Sequence, residues 1–170
     1  MNTLEAIKSR RSIRKYKHDA PVSDADIETI LTAAMMAPSA CNTRPWEFVV
    51  VRSESVKAEI MKLYPYTRML ATAPVAIVVC GRPDLQAGIC DGCWPEDCGA
   101  AVENMLLAAA ELGYGTCWCG CYPASSERNS ALASLLGVSS VPFGTVALGV
   151  ADEEPHARGF YDPKRVRYIR

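Results

Sequence analysis

The chain has 170 residues, eight cysteines and a net charge of -1, with 49% hydrophobic and 22% charged residues. That length suits one domain, 1–170, with a buried core, and the near-neutral charge argues against a general nucleic-acid binder. The opening residues are polar, without the apolar segment of a signal peptide, and no apolar run nears the roughly 20 residues that span a bilayer. The expectation is a cytoplasmic protein whose cysteines are thiols rather than disulfides.

Leu4 and Ile7 predict a short opening helix that runs into a basic cluster, Lys8, Arg10, Arg11, Arg14, Lys15 and Lys17. Read alone, such a cluster is a solvated face. Ser23 is placed to cap a helix with Asp24 and Asp26 in its first turn. Ile27, Ile30, Leu31, Ala34 and Met35 then repeat at helical spacing until Pro38 stops them. Residues 48–51 read as a strand. Val56, Ile60 and Leu63 mark a second amphipathic helix, which Pro65 interrupts and which resumes as a short helix over 67–73. The unbroken apolar run 75–80 predicts a buried strand. The stretch 81–95, punctuated by Gly and Pro, is long enough to be a lid.

Asp97 is expected to cap the longest helix, with Gly113 as its stop. Val102, Met105, Leu106, Ala109 and Leu112 form that helix's core face, and alanines on the other faces place it centrally. A strand over 114–121, a short helix over 127–136 ended by Gly137, and a second buried strand over 145–150 follow. The closing residues 166–170 alternate like a strand, yet no hairpin folds them back. They are expected to add to a sheet edge, of this chain or of a partner.

Two segments carry the chemistry. Ser9 to Arg14 packs three guanidiniums and two hydroxyls into six residues, a set suited to a phosphate or an electron-rich polar ring edge. Ala37 to Trp46 is a turn of small and hydrogen-bonding residues between a helix and a strand. Together they point to a phosphorylated cofactor. Trp46 serves equally as a core anchor, as does Trp118. His18 and His156 sit in polar surroundings and read as surface residues. No nucleophile elbow, P-loop or dinucleotide glycine fingerprint is present.

The cysteines support a rival reading. Cys90, Cys93 and Cys98, with Cys117, Cys119 and Cys121, are a candidate zinc or iron–sulfur set or a redox-sensing module. Their spacing is irregular, however. Positions 117, 119 and 121 would share one side of a strand, where cysteine behaves as a small apolar residue.

With its segments in this order the chain resembles the flavin-dependent nitroreductase family, nearly end to end. The resemblance rests on Ser9-Arg10-Arg11-Ser12-Ile13-Arg14-Lys15-Tyr16 and on the Ala37-Pro38-Ser39-Ala40-x-Asn42-x-Arg44-Pro45-Trp46 turn. It continues through Asp97-x-Gly99-Ala100-Ala101-x-Glu103-Asn104-Met105-Leu106 and Leu112-Gly113-x-Gly115-Thr116-Cys117-Trp118-x-Gly120. It implies an α+β fold with a mainly antiparallel sheet between helices. It also implies a homodimer with FMN at the interface, and a C-terminal segment that reaches the partner.

Carried over, Arg10, Arg11, Ser12 and Arg14 would contact FMN along its phosphate, ribityl chain and pyrimidine edge. Pro38, Ser39, Ala40, Asn42 and Arg44 would come from the other protomer. Trp118, Cys119, Gly120 and Cys121 would pass beside the flavin and offer backbone N–H groups, and Arg158 would meet the phosphate. No residue is assigned to a metal or to a catalytic role of its own, since the flavin carries the chemistry.

The implied activity is an FMN oxidoreductase. NADH or NADPH reduces the flavin, which then passes electrons to a small acceptor such as a nitroaromatic or quinone. A flavoprotein of the same fold with another reaction, such as reductive removal of a substituent or flavin breakdown, is the near alternative. Two positions depart from the family pattern: Arg44 stands where Gln is common, and Cys121, where Gly is common, would narrow the site. The loop 81–95 matches no family pattern and is expected to set substrate choice.

Overall fold

The computed structural model describes residues 2–123, 125–156 and 159–170. Its frame is a four-stranded antiparallel sheet built from β1 (Trp46–Val51), β2 (Val75–Gly81), β3 (Gly115–Gly120) and β4 (Val141–Gly149), in the order β1-β2-β4-β3. Among the described residues, five α-helices accompany it: α1 (Thr3–Ser9), α2 (Asp24–Met35), α3 (Glu54–Leu63), α4 (Trp94–Glu111) and α5 (Ser126–Leu136). This is the expected α+β class.

β2 is buried along its whole length, as its apolar run requires. Its alternating side chains feed two cores, because successive residues of a strand face opposite ways. Val75, Ile77 and Val79 pack with Ile27, Ile30, Val102, Met105 and Leu106, which belong to α2 and α4. Ala76, Val78 and Cys80 pack on the other face with Ile60 and Leu132 of α3 and α5. Ser23 caps α2 by accepting from the Asp26 N–H at 3.0 Å. Gly137 ends α5 at φ +68, a left-handed value that glycine adopts at little cost.

Three expectations are corrected. α4 begins at Trp94, with Cys93 as its cap residue and Pro95 in the first turn, where the missing N–H breaks no helical bond. Asp97 therefore lies inside the first turn, free to bond elsewhere. The loop 81–95 is correspondingly shorter and is organised by two 3-10 turns, Pro83–Leu85 and Gly88–Cys90. β4 starts earlier than its apolar run suggests, because Val141 and Pro142 still pair with Gly81 and Cys80 beyond a register shift at Val79/Cys80. Such an irregularity is where a sheet accepts proline.

The tail forms no strand within this chain. After a 3-10 turn at Pro163–Arg165 it is exposed, with Ile169 at 94%. The long-chain apolar residues Phe160, Tyr161 and Tyr168 are exposed with it.

Candidate functional site

The basic opening segment is threaded beside the free edge of β3. The Ile13 N–H donates to the Thr116 carbonyl at 2.8 Å, and Ser12 and Thr116 form a parallel bridge. On the other side, the Lys17 N–H donates to Val150 and the Asp152 N–H to Lys15, both at 2.9 Å. The Glu153 carboxylate accepts from the Arg14 and Lys15 N–H groups. Gly115 makes this approach possible: a Cβ there would lie 2.7 Å from the Ile13 side chain. Buried Ile13 thus pins the segment and leaves its cations outward.

Arg10, Arg11, Ser12 and Arg14 line one cavity of about 370 Å³, closed by Glu153 and His156. Arg11 is held by the Lys8 and Arg10 carbonyls at 2.7 and 2.6 Å. Arg10 points its buried Nε at Glu103 of α4, an ion pair at 3.5 Å without hydrogen-bond geometry. Three guanidiniums and a hydroxyl around one cavity are a donor set that fits an anionic, phosphate-bearing ligand. Arg158 lies outside the described residues.

β3 contributes its outer edge by parity. The Cys121 N–H donates to the Phe143 carbonyl at 2.8 Å, so the odd positions turn their backbone groups toward β4. Thr116, Trp118 and Gly120 turn theirs outward, and the Gly120 carbonyl accepts from the Tyr66 hydroxyl at 2.6 Å. Of the four expected positions, Trp118 and Gly120 present outward backbone donors, while the Cys119 and Cys121 N–H groups face the sheet. The Cys121 side chain does not narrow the site either. It is 1% exposed and lies 3.6 Å from the Thr145 hydroxyl. Trp118 is 40% exposed and tilts over Phe143 at 5.7 Å between ring centres, so it is both edge and core. Trp46 packs on the core, half-buried.

The sequence reading missed one wall. Tyr66, Arg68 and Met69, from the 3-10 turn Pro65–Ala71, join Arg14 and Tyr16 around an adjoining cavity of about 660 Å³. A short helix was expected there, but nothing in its composition marked it as part of a site. Burial pushes the Tyr66 hydroxyl above its ordinary pKa, so it stays protonated as the donor to Gly120.

The Pro38–Arg44 turn is built under strain. Cys41, Asn42 and Arg44 hold φ of 49, 53 and 50, a left-handed conformation that side chains disfavour. Side chains brace it: the Ser39 hydroxyl accepts from the Arg44 N–H at 3.0 Å, and the Arg44 Nε donates to the Asn42 side-chain oxygen at 3.1 Å. Asp97, released from capping, accepts from the Ala40 N–H at 2.9 Å. Strained backbone held this firmly clusters at ligand sites.

Within one chain, residues 38–44 are not among those lining the arginine cavity. The turn is tied to Asp97 at the start of α4, whereas Arg10 faces Glu103, roughly 9 Å further along the helix axis at 1.5 Å per residue.

The thiols assemble no metal centre that the structure reveals. Among the described residues, no three His, Cys, Asp or Glu side chains are placed to share an ion. Cys98 is buried and directs its S–H at the Pro45 carbonyl, 3.6 Å away. Cys117, Cys119 and Cys121 all sit in the core. Cys117 is held below the ordinary thiol range by hydrogen bonding from Cys119 and by the Arg14 charge, against burial.

A sequence model of the nitroreductase family matches residues 7–76 and 61–150. The chain belongs to the nitroreductase family. It is 43% identical over 168 residues to a Methanothermobacter thermautotrophicus protein whose name pairs NADH dehydrogenase with NAD(P)H nitroreductase, covering 98% of this chain and 86% of the relative. The FMN-dependent nitroreductase of Clostridium difficile superposes with a TM-score of 0.87 at 30% identity, over 98% of this chain and 99% of the other. A Parabacteroides distasonis structure with the same paired name reaches 0.91 at 32% identity, over 99% and 98%. The nitroreductase fold, with its antiparallel sheet between helices, is the one the family resemblance implied. Among the described residues, no helix is long and apolar enough to cross a membrane.

Proposed function

We propose that this nitroreductase-family chain, one flavin-binding domain over 1–170, is an FMN-dependent oxidoreductase. NADH or NADPH is the donor, and the acceptor is a small oxidised molecule such as a nitroaromatic or quinone. The observation that carries the reading is the cavity beside the outward edge of β3, lined by the Arg10, Arg11 and Arg14 guanidiniums. Relatives named for FMN and NAD(P)H support it. When bound, FMN supplies the electron-transfer chemistry, and the protein has to bind, orient and tune it.

In this reading Arg10, Arg11, Ser12, Arg14 and Arg158 hold the phosphate, ribityl chain and pyrimidine edge. Arg10 or Arg14 places a fixed cation where negative charge collects. Trp118 and Gly120 offer backbone donors along the ring edge. Cys119 and Cys121 keep that edge in register from the core side. Pro38, Ser39, Ala40, Asn42 and Arg44 come from the second subunit of a homodimer, in keeping with their absence from the lining of the arginine cavity in one chain. The exposed tail crosses to that same subunit. Eight unpaired thiols suit a reducing cytoplasm.

The purified protein is expected to be yellow and to lose its flavin absorption when NADH or NADPH is added without oxygen. Colourless protein that takes up no FMN would refute the reading. Yellow protein that does not bleach would remove the nicotinamide step and assign the fold to another flavin reaction.

A further inference from the structure

Three cations converge on the cavity of about 660 Å³ beside Arg14. Its lining includes Arg14, Lys15 and Arg68, with Tyr66, Met69 and a single carboxylate, Asp152. A cavity of that size suits a small organic ligand. Arg14 also lines the arginine cavity, so the two spaces meet at its side chain. Elsewhere the chain supplies its guanidiniums with carboxylates. Arg52 meets Asp24 and Arg82 meets Asp84 at 2.6 Å, and Arg165 meets Asp162 at 3.2 Å. Among the described residues, Arg14, Lys15 and Arg68 form no such pair, although Asp152 shares the cavity.

Arg68 is exposed but firmly placed. Thr67 and Leu70 are fully buried on either side of the Arg68–Met69 step, and the Thr67 hydroxyl donates to the Tyr64 carbonyl at 2.7 Å. The Cys119 S–H is directed at the Tyr66 carbonyl and the Met69 sulfur, each 3.9 Å away. With the Tyr66 hydroxyl on the Gly120 carbonyl, these contacts fasten the turn to β3. Arg68 is two residues past Tyr66, so their Cα atoms are at most roughly 7 Å apart. An anion on Arg68 therefore lies within the reach of a one-ring molecule from the outward edge of β3. The phosphates of a dinucleotide stand further from its reacting ring. Tyr66 and Met69 offer apolar surface to such a ring. The Tyr66 proton is committed to Gly120, which leaves recognition of charge to the cations.

We infer that this cavity is a specificity site for acceptors that carry a carboxylate, and that Arg68 is the residue that selects them. A guanidinium takes a carboxylate in a two-bond fork, and the Arg14 and Lys15 charges add to the attraction. The inference rests on the function proposed above, since it sets the acceptor's ring beside the flavin edge and its carboxylate on Arg68.

The test compares meta-nitrobenzoate with meta-nitrobenzamide, an uncharged acceptor of nearly the same shape, on the FMN-loaded protein. In the parent, kcat/KM is expected to favour the benzoate. Arg68→Ala should lower that preference about tenfold, through KM rather than kcat. Arg68→Lys should keep part of the preference, and Arg68→Glu should reverse it. Because each preference is a ratio within one variant, flavin content and folding cancel. Benzoate binding to the oxidised protein, read by calorimetry without turnover, should weaken by the same factor in Arg68→Ala. A parent without the preference, an Arg68→Ala variant that keeps it, or unchanged benzoate binding would each overturn the inference. So would a loss confined to the choice between NADPH and NADH, which would put Arg68 on the donor's phosphate. Flavin absorbance and its bleaching report separately on the proposed function, so an intact flavin cycle with an unchanged preference fails this inference alone.

Discussion

Replacing Arg10 with alanine is expected to weaken FMN binding by about 1.5–3 kcal/mol, or roughly ten- to a hundredfold, the usual contribution of a hydrogen bond to a charged group. The position is favourable for such an effect. Arg10 lines the cavity with Arg11, Ser12 and Arg14, and its Nε ion pair with Glu103 is long, at 3.5 Å. Its neighbour Glu103 is half-exposed, so removing the guanidinium leaves that carboxylate in water rather than stranded in the core. The fold itself is anchored by Ile13 and the Thr116 bond. Flavin titration by fluorescence, with circular dichroism as a control for folding, checks the result. An alanine variant that binds FMN as tightly as the parent would remove Arg10 from the site.

Removing residues 160–170 is expected to convert a dimer into monomers and to strip the flavin with it. Within the tail, Arg165 pairs with Asp162 at 3.2 Å and lies over the Phe160 ring at 5.3 Å. Phe160, Tyr161, Tyr168 and Ile169 are exposed together, which is unusual for so many large apolar residues in one stretch. Each aromatic buries roughly 150–250 Å² when covered. At about 25 cal/mol per Å², each aromatic so covered contributes roughly 4–6 kcal/mol to association before the cost of ordering the tail is subtracted. Because no core residue is lost, the shortened chain should still fold. Sedimentation at micromolar concentration reads the outcome. A shortened chain that remains dimeric and yellow would show that the tail serves something else.

Much of the frame is legible in the residues themselves, because local chemistry decided it. Ser23, Gly113 and Gly137 mark helix ends by side-chain capping and left-handed backbone, and the run 75–80 can only be buried. What misled was chemistry shared between distant segments. Asp97 looks like a cap, yet the helix already begins at Trp94, and the Asp97 carboxylate instead holds the Ala40 N–H, 57 positions away. The apolar run marks a strand only from residue 145, whereas Val141 and Pro142 pair beyond the register shift at Val79/Cys80.

The candidate site divides in the same way. Arg10 to Arg14 and Ser39 to Arg44 stand out as dense clusters of charge and hydrogen-bonding groups. Tyr66 and Arg68 do not, since their place beside Arg14 depends on how a 3-10 turn packs under β3. The parity of β3 is likewise invisible until the Cys121 bond to Phe143 fixes which backbone groups face outward. Cys121, which reads as an obstruction, proves to point into the core.

The central claim is that one flavin is clasped by two chains, the arginines of one and the Ser39–Arg44 turn of the other. Mixing tests it most directly. Arg10→Ala and Ser39→Ala chains are unfolded together, refolded, and the mixed dimer is isolated by two different affinity tags. If the site is shared, each mixed dimer has one site with both lesions and one with none, so it should hold about one tightly bound FMN while both parent variants hold little. If Arg10 and Ser39 serve the same chain's flavin, every site carries a lesion. A mixed dimer with no more flavin than its parents would then contradict the account.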